Sequence, residues 1–389
     1  MTKILILSVS AGNGHVRAAQ ALEAAVQAAP PHSAVHIDAM AHVTAGFRKV
    51  YTDWYLQLVK RAPDLWSYLH QRTDATPHHA LSQRLRRGIE RLSTVALARE
   101  LHREKPGAVI CTHFLPAELL MRERNRGRID CPVWLQITDY DLHNMWLVPG
   151  MTGYLAATDE VAFRLRARGI PPERIHVTGI PVMPGFSGTE ALARDTSVAA
   201  LGLDPARPVL LMASGGAGVG DLPSMVERVL GLAGGNNGNI GDTGFQVIAV
   251  AGRNAEAHAR LQALAARHPG RVAAIGFTSE MHRLMAAADL VVTKPGGLTV
   301  SECLALGKPM LLISPIPGQE EHNAGFLMEE GAAWLAYDAI GLDYKVARLM
   351  ADPSRLAAMA ARSRALGKPH AAAAVLRHVL GHPASDDDQ

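Results

Sequence analysis

Short continuous apolar runs recur along the chain and alternate with longer segments whose apolar residues fall at helical spacing. That alternation predicts a parallel sheet with helices on both faces. The first run, residues 3–9, turns through Ser10-Ala11-Gly12-Asn13-Gly14-His15 into a segment with Val16, Ala19, Leu22, Val26 and Ala29 on one helical face, and a following strand carries Asp38 as its first acidic residue. Residues 107–113 and 131–137 are further strands that end in polar residues, where open α/β sheets place ligands. Residues 153–157 and 175–178 read as the last strands of the first half. A Pro/Gly-rich hinge at 179–185 interrupts the pattern. A new strand at 208–213 then runs into a glycine turn, and 245–251, 272–275, 288–292, 309–313 and 333–336 supply the rest of a second sheet. Two similar halves, each with a glycine turn after its first strand, predict domains over 1–178 and 179–389 facing a central cleft.

Composition fits this division: 389 residues suit two cores, and the hydrophobic fraction of 48% is that of a globular protein. No run reaches the ~18 apolar residues of a membrane span, and no basic segment with a cleavage site opens the chain, so a cytoplasmic protein is expected. Cys111, Cys131 and Cys303 lie far apart in apolar contexts, which predicts reduced thiols and neither disulfides nor a metal site. Charge is uneven. Residues 1–178 carry 22 Lys+Arg against 16 Asp+Glu, whereas 179–389 carry 17 against 20. The basic excess, with Tyr51, Trp54 and Tyr55 among Arg48, Lys49, Lys60 and Arg61, fits an interfacial amphipathic segment over 47–66 with an anionic membrane surface as partner, and equally an ordinary packed helix with a solvated basic face. The basic helix over 81–92 reads as a solvated face, 234–241 as a surface loop and the acidic end after Gly381 as a disordered tail. No nucleic acid is expected.

The richest stretch is Thr293-Lys294-Pro295-Gly296-Gly297-Leu298-Thr299-Val300-Ser301-Glu302. A strand, a glycine turn and a helix start there would aim freed N–H groups at a diphosphate, with Glu302 one turn on to accept both hydroxyls of a ribose. The same letters also spell a capping box, Thr299-x-x-Glu302, and both readings stand. Ser214-Gly215-Gly216-Ala217-Gly218 and Ala251-Gly252-Arg253-Asn254 are further phosphate or nucleotide elements, while Gln319 and Glu320 carry the donors and acceptors that read sugar hydroxyls. The first glycine turn lacks the third glycine of a dinucleotide fingerprint, because Arg17 stands there.

Five motifs in order carry a resemblance. They are Ser10-Ala-Gly-Asn-Gly-His-x-Arg-Ala-Ala19, Thr138-Asp-Tyr-Asp-Leu-His-x-x-Trp146, Val177-Thr-Gly-Ile-Pro-Val182, Lys294-Pro-Gly-Gly-Leu-Thr-x-Ser-Glu302 and Pro317-Gly-Gln-Glu-x-x-Asn323. The chain resembles the monogalactosyldiacylglycerol synthase and processive diacylglycerol glucosyltransferase family, which is related to the enzyme that adds N-acetylglucosamine to lipid-linked muramyl peptide. The resemblance implies a GT-B glycosyltransferase of family 28, with two Rossmann-like α/β/α domains. The first would bind a lipid acceptor, the second a UDP-sugar. It further implies a peripheral protein on the inner face of the cell membrane, with UDP-glucose or UDP-galactose as donor substrate and no separate cofactor.

Carried over by motif, His15 becomes the general base or acceptor-orienting group, and Asp139 either supports His15 or contacts the acceptor. Glu302 takes the ribose, Gln319 and Glu320 the sugar, and Ser214, Gly215, Gly216, Gly296, Gly297 and Thr299 the diphosphate region. Arg253 is a diphosphate partner, and Phe277 lies at the uracil pocket through its backbone. Asp139-x-Asp141 imitates the metal signature of the other glycosyltransferase fold but falls in the acceptor domain, so no metal is expected. With an ordinary pKa near 6.5, His15 would suit proton transfer near neutrality. A UDP-sugar 2-epimerase of similar architecture and a non-catalytic UDP-sugar-binding subunit are the alternatives.

Overall fold

The computed structural model describes residues 1–10, 12–42, 97, 99–187, 194–213, 221–232 and 244–381. The basic aromatic segment 47–66, the helix expected at 81–92, the loop 234–241, the tail beyond 381 and Ser214, Gly215 and Gly216 fall outside these residues. Two compact units are formed: Met1–Pro184 with Ile316–His322 and His370–Gln389, and Gly185–Pro315 with Asn323–Pro369.

In the first unit β1 (Lys3–Ser8), β2 (Ser33–Asp38), β3 (Ala108–Cys111), β4 (Val133–Gln136), β5 (Gly153–Ala156) and β6 (Ile175–Val177) form one parallel sheet in the order β2-β1-β3-β4-β5-β6. Alternate residues of the apolar runs feed opposite faces. Ile4, Ile6 and Ile110 pack on the helix Asn13–Gln27, and Leu5, Leu7, Val109 and Leu135 pack on the other side with Leu120 and Val161. Burial on both faces explains why these strands read as continuous hydrophobic runs.

The helix Ala371–Leu380 completes this unit, although the sequence division placed it in the second domain. Ala372, Val375, Leu376 and Val379 make one apolar stripe that joins Ala19, Leu22 and Val26 over Ile4 and Ile6. A stripe at this spacing must be covered, and the first sheet supplies the cover. The division falls at 184/185, inside the expected hinge.

The second unit repeats the scheme with β7 (Val209–Ala213), β8 (Gln246–Val250), β9 (Val272–Ile275), β10 (Leu290–Thr293), β11 (Met310–Ile313) and β12 (Ala333–Ala336), all parallel in the order β12-β11-β10-β7-β8-β9. Counted from β7, this is the 3-2-1-4-5-6 order of a dinucleotide-binding fold. The order reverses between β1 and β3 in the first sheet and between β7 and β10 in the second. In open sheets a ligand crevice opens at such a point, beyond the carboxyl ends of the strands.

Candidate functional site

At the first reversal, the chain leaving β1 enters the helix Asn13–Gln27, and His15 is its third residue. The chain leaving β3 runs alongside through Thr112 and His113. His15 Nδ1 lies 2.8 Å from the Thr112 carbonyl oxygen and 2.9 Å from Thr138 Oγ1, while the Thr112 hydroxyl donates to the His15 carbonyl at 2.9 Å. A carbonyl can only accept, so the network assigns the proton of the neutral ring to Nδ1. Nε2 therefore keeps its lone pair. Burial lowers the His15 pKa to about 4, against the opposing pull of the Thr112 carbonyl. The imidazole is neutral throughout the physiological range, which replaces the value near 6.5 expected from the sequence.

His113, which sequence reasoning passed over, stands edge-on to His15 with ring centroids 4.6 Å apart. Its Nδ1 accepts the Leu115 amide at 3.0 Å and caps the helix Phe114–Asn125, so its own proton sits on Nε2. Burial, then the neighbouring His15, holds its pKa well below the ordinary range. Phe114 lies 4.1 Å from the His113 ring and Trp146 5.7 Å from Phe114, so the two histidines back onto an aromatic wall. The available signal was Thr112-His113 at the carboxyl end of a parallel strand beside β1.

Asp139 is buried but does not hydrogen-bond His15, as one sequence reading had it. The His15 ring nitrogen facing the protein is already held by Thr112 and Thr138. Asp139 instead accepts the Trp146 indole at Oδ2, 3.2 Å away, and the Gln319 amide at Oδ1. Burial raises its pKa to about 6, although the Gln319 and Trp146 bonds favour the ionised form. Asp141 is paired with His322 at 2.7 Å. Both carboxylates of the Asp-x-Asp pair are thus engaged by protein donors.

Gln319 and Glu320 open the helix Gln319–Glu329, reached through a turn in which Gly318 has φ +84°, a conformation that favours glycine. The Ile316 amide donates to Glu320 Oε2 at 2.7 Å and the Gly318 amide to Glu321 Oε2 at 2.8 Å. The two acids therefore cap the helix start, where the helix dipole also favours negative charge.

In the second unit, the helix Gly297–Ala305 begins at the reversal, directly after β10, with Gly296 as its N-cap and no side-chain cap bond. Thr299 is already the third helical residue, so it cannot serve as the N-cap, and the capping-box reading is overturned. Gly296, Gly297 and Thr299 lie partly exposed at the helix N-terminus, and Glu302 is buried one turn further on. Arg253 and Phe277 follow the adjacent strands β8 and β9, with the guanidinium 4.9 Å from the Phe277 ring centre. Three strand spacings, about 14 Å, separate β9 from β10, a span comparable with an extended nucleoside diphosphate.

The glycine turn is held from below by Asn323, whose side chain is fully buried and whose Nδ2 donates to the Pro295 carbonyl at 3.0 Å. Asn323→Ala should leave that buried carbonyl without this donor. We expect a loss of about 1–3 kcal/mol in urea unfolding. Unchanged stability would show that the turn does not depend on the bond.

Comparison with known proteins adds to this geometry. Residues 15–182 match the model of the monogalactosyldiacylglycerol (MGDG) synthase family, and residues 209–375 match that of the glycosyltransferase family 28 C-terminal domain. A processive diacylglycerol beta-glucosyltransferase of Bacillus pumilus is 28% identical over 379 residues, covering 97% of this chain and 94% of the relative. One from Staphylococcus carnosus is 30% identical over 286 residues, covering 72% and 70%. Among solved structures, MurG of Acinetobacter baumannii superposes with a TM-score of 0.61 at 17% identity over 97% of this chain and 99% of that one. The S. aureus MnaA-UDP co-structure gives 0.62 at 14% identity over 97% and 96%. At these identities the structural likeness speaks for the two-domain GT-B fold alone.

Proposed function

Because the chain belongs to the monogalactosyldiacylglycerol synthase and processive diacylglycerol glucosyltransferase family, we propose that it is an inverting hexosyltransferase that moves a sugar from UDP to diacylglycerol. The observation that carries this reading is the His15 tautomer. A neutral imidazole pinned through Nδ1 to Thr112 keeps an unprotonated Nε2 at the sheet reversal.

The acceptor hydroxyl oxygen attacks the anomeric carbon on the face opposite the diphosphate. The bond from that carbon to the diphosphate oxygen breaks, and its electron pair leaves with UDP. The hydroxyl proton passes to His15 Nε2. A base with a pKa of about 4 is weak toward a free alcohol. It is adequate here, because the hydroxyl grows strongly acidic as its oxygen bonds to the sugar carbon. Charge on the departing diphosphate is met by N–H groups at the start of the helix Gly297–Ala305 and by Arg253. Glu302 holds the ribose, with Gly296, Gly297 and Thr299 along the diphosphate and the Phe277 backbone at the uracil; Gln319 and Glu320 read the sugar. No resident cofactor enters this scheme, since the UDP-sugar is itself a substrate.

The aromatic wall of His113, Phe114 and Trp146 gives the glycerol end of a lipid an apolar backing. No helix among the described residues is long and apolar enough to cross a membrane. We place the protein peripherally on the anionic inner face of the cell membrane, with either glucose or galactose as the hexose. Release of UDP from UDP-glucose and UDP-galactose, measured with and without diacylglycerol vesicles, tests the proposal. Acceptor-dependent release and a glycosylated lipid by mass spectrometry are expected. Sugar interconversion without an acceptor would identify a 2-epimerase, and binding without turnover a non-catalytic subunit.

A further inference from the structure

The segment Ile316–His322 comprises the turn after β11 and the first four residues of the helix Gln319–Glu329, and it belongs to the first unit although the strand before it and the rest of the helix belong to the second. Two side-chain contacts with the loop after β4 hold it there. Gln319 donates its amide to Asp139 Oδ1, and His322 Nδ1 lies 2.7 Å from Asp141 Oδ2. Between these contacts stands Glu320, and the turn itself is closed by the Ile316 and Gly318 amides bonding to Glu320 and Glu321.

We propose that His322 is a positioning residue whose imidazolium, gripped by Asp141, works with the Gln319–Asp139 bond to fix the sugar-reading turn, making affinity for the donor sugar dependent on pH. This rests on the reading of Gln319 and Glu320 as sugar contacts.

The charged groups around the clamp support that direction. Facing His322 are Asp141 from the loop after β4, Arg164 from the helix Asp159–Ala167 and Glu321 from its own helix. The Asp141 bond outweighs burial and the Arg164 charge, and raises the His322 pKa above its ordinary 6.5. Around Asp141, burial pushes upward, but His322, the Leu142 amide and Arg164 bring its pKa down to about 2. Arg164 is itself shared with Glu160 at 2.6 Å.

A raised histidine pKa contributes stability that is complete below 6.5 and lost as pH climbs through the raised value. The depressed Asp141 keeps its charge down to about pH 2. The Gln319 bond sets the acid edge, because Asp139 accepts best when ionised and titrates at about 6. The turn is therefore held most firmly in a window that opens near pH 6 and closes above 6.5.

The test measures KM for UDP-glucose and UDP-galactose from pH 6.5 to 9, together with hydrogen exchange of residues 316–322, each rate divided by the intrinsic amide rate at the same pH. In the wild type, KM should rise about threefold as His322 loses its proton, a modest factor because the pair is partly exposed, and exchange should quicken in step. His322→Gln should show the high KM and fast exchange at every pH. His322→Lys keeps its charge and should hold both at their pH 6.5 values through pH 9. A wild-type KM profile in His322→Gln overturns the proposal, and so does pH-dependent exchange with a flat KM. If neither sugar nucleotide turns over, the transferase reading fails separately. Exchange in the two variants then decides the clamp, and equal rates in both would sink it.

Discussion

His15→Ala should lower glycosyl transfer by about 10²- to 10⁴-fold, the range of a lost general base, and leave the affinity for UDP essentially unchanged. The separation follows from where the residues sit. His15 is in the first unit with Thr112 and Thr138, whereas Gly296, Gly297, Glu302 and Arg253 belong to the second. A sharper variant is His15→Asn. Its amide can still donate to the Thr112 carbonyl, but nothing basic stands where Nε2 was, so it should fold like the wild type and be as inactive as the alanine variant. Turnover within tenfold of wild type in His15→Asn would make His15 a structural tie. The pH behaviour gives a second check. With a pKa of about 4, His15 loses its lone pair only in acid, so the activity limb it controls lies near pH 4 and not near 6.5. Stability moves with the same proton: between 6.5 and about 4 the unfolded chain takes it up and the folded chain does not. Wild-type stability therefore falls as pH drops through that interval, and His15→Asn should lose that share of the acid sensitivity.

Much of this architecture was written locally. Strands such as β1, β4, β7 and β11 are continuous apolar runs because both faces of each sheet are covered, and a run of that kind needs no partner to be recognised. The glycine turns after β1 and β10 could be placed from the ends of those runs, and with them the positions of His15 and Glu302 in the helices that follow. What pattern could not supply was pairing at a distance. His15 is oriented by Thr112 and Thr138, 97 and 123 residues away, and periodicity carries no information on such contacts. The family resemblance offered Asp139 either as a support for His15 or as an acceptor contact, and the His15 ring is hydrogen-bonded to Thr112 and Thr138 instead. Asn323 was visible as a motif letter, and its bond to Pro295 was not, since burial of an amide depends on the packing of two elements. The helix Ala371–Leu380 was assigned to the second domain by position in the chain. Its apolar stripe announces that something must cover it without saying what. The ambiguity at Thr299 was genuine at the level of sequence, because a capping box and an interior helical Thr-x-x-Glu share the same letters, and only the start of the helix at Gly297 separates them.

That start fixes the second large effect, at Glu302. Glu302 is only 7% exposed and lies in the second turn of a helix whose N-cap is Gly296, and it is the residue proposed to meet the ribose. An ionised carboxylate can accept from both ribose hydroxyls, whereas a glutamine of the same shape offers one acceptor and turns a donor toward the second. Glu302→Gln should therefore weaken UDP binding by about 10- to 100-fold, the equivalent of one charge-assisted hydrogen bond. The melting temperature should stay close to wild type, because volume and burial are preserved. Comparing UDP with 2′-deoxy-UDP by calorimetry turns this into a cycle. The wild type should lose affinity when the 2′-hydroxyl is removed, and Glu302→Gln should lose little more. Equal losses in both proteins would mean that Glu302 does not touch the ribose. A large drop in melting temperature with UDP affinity intact would return the residue to the helix it lies in.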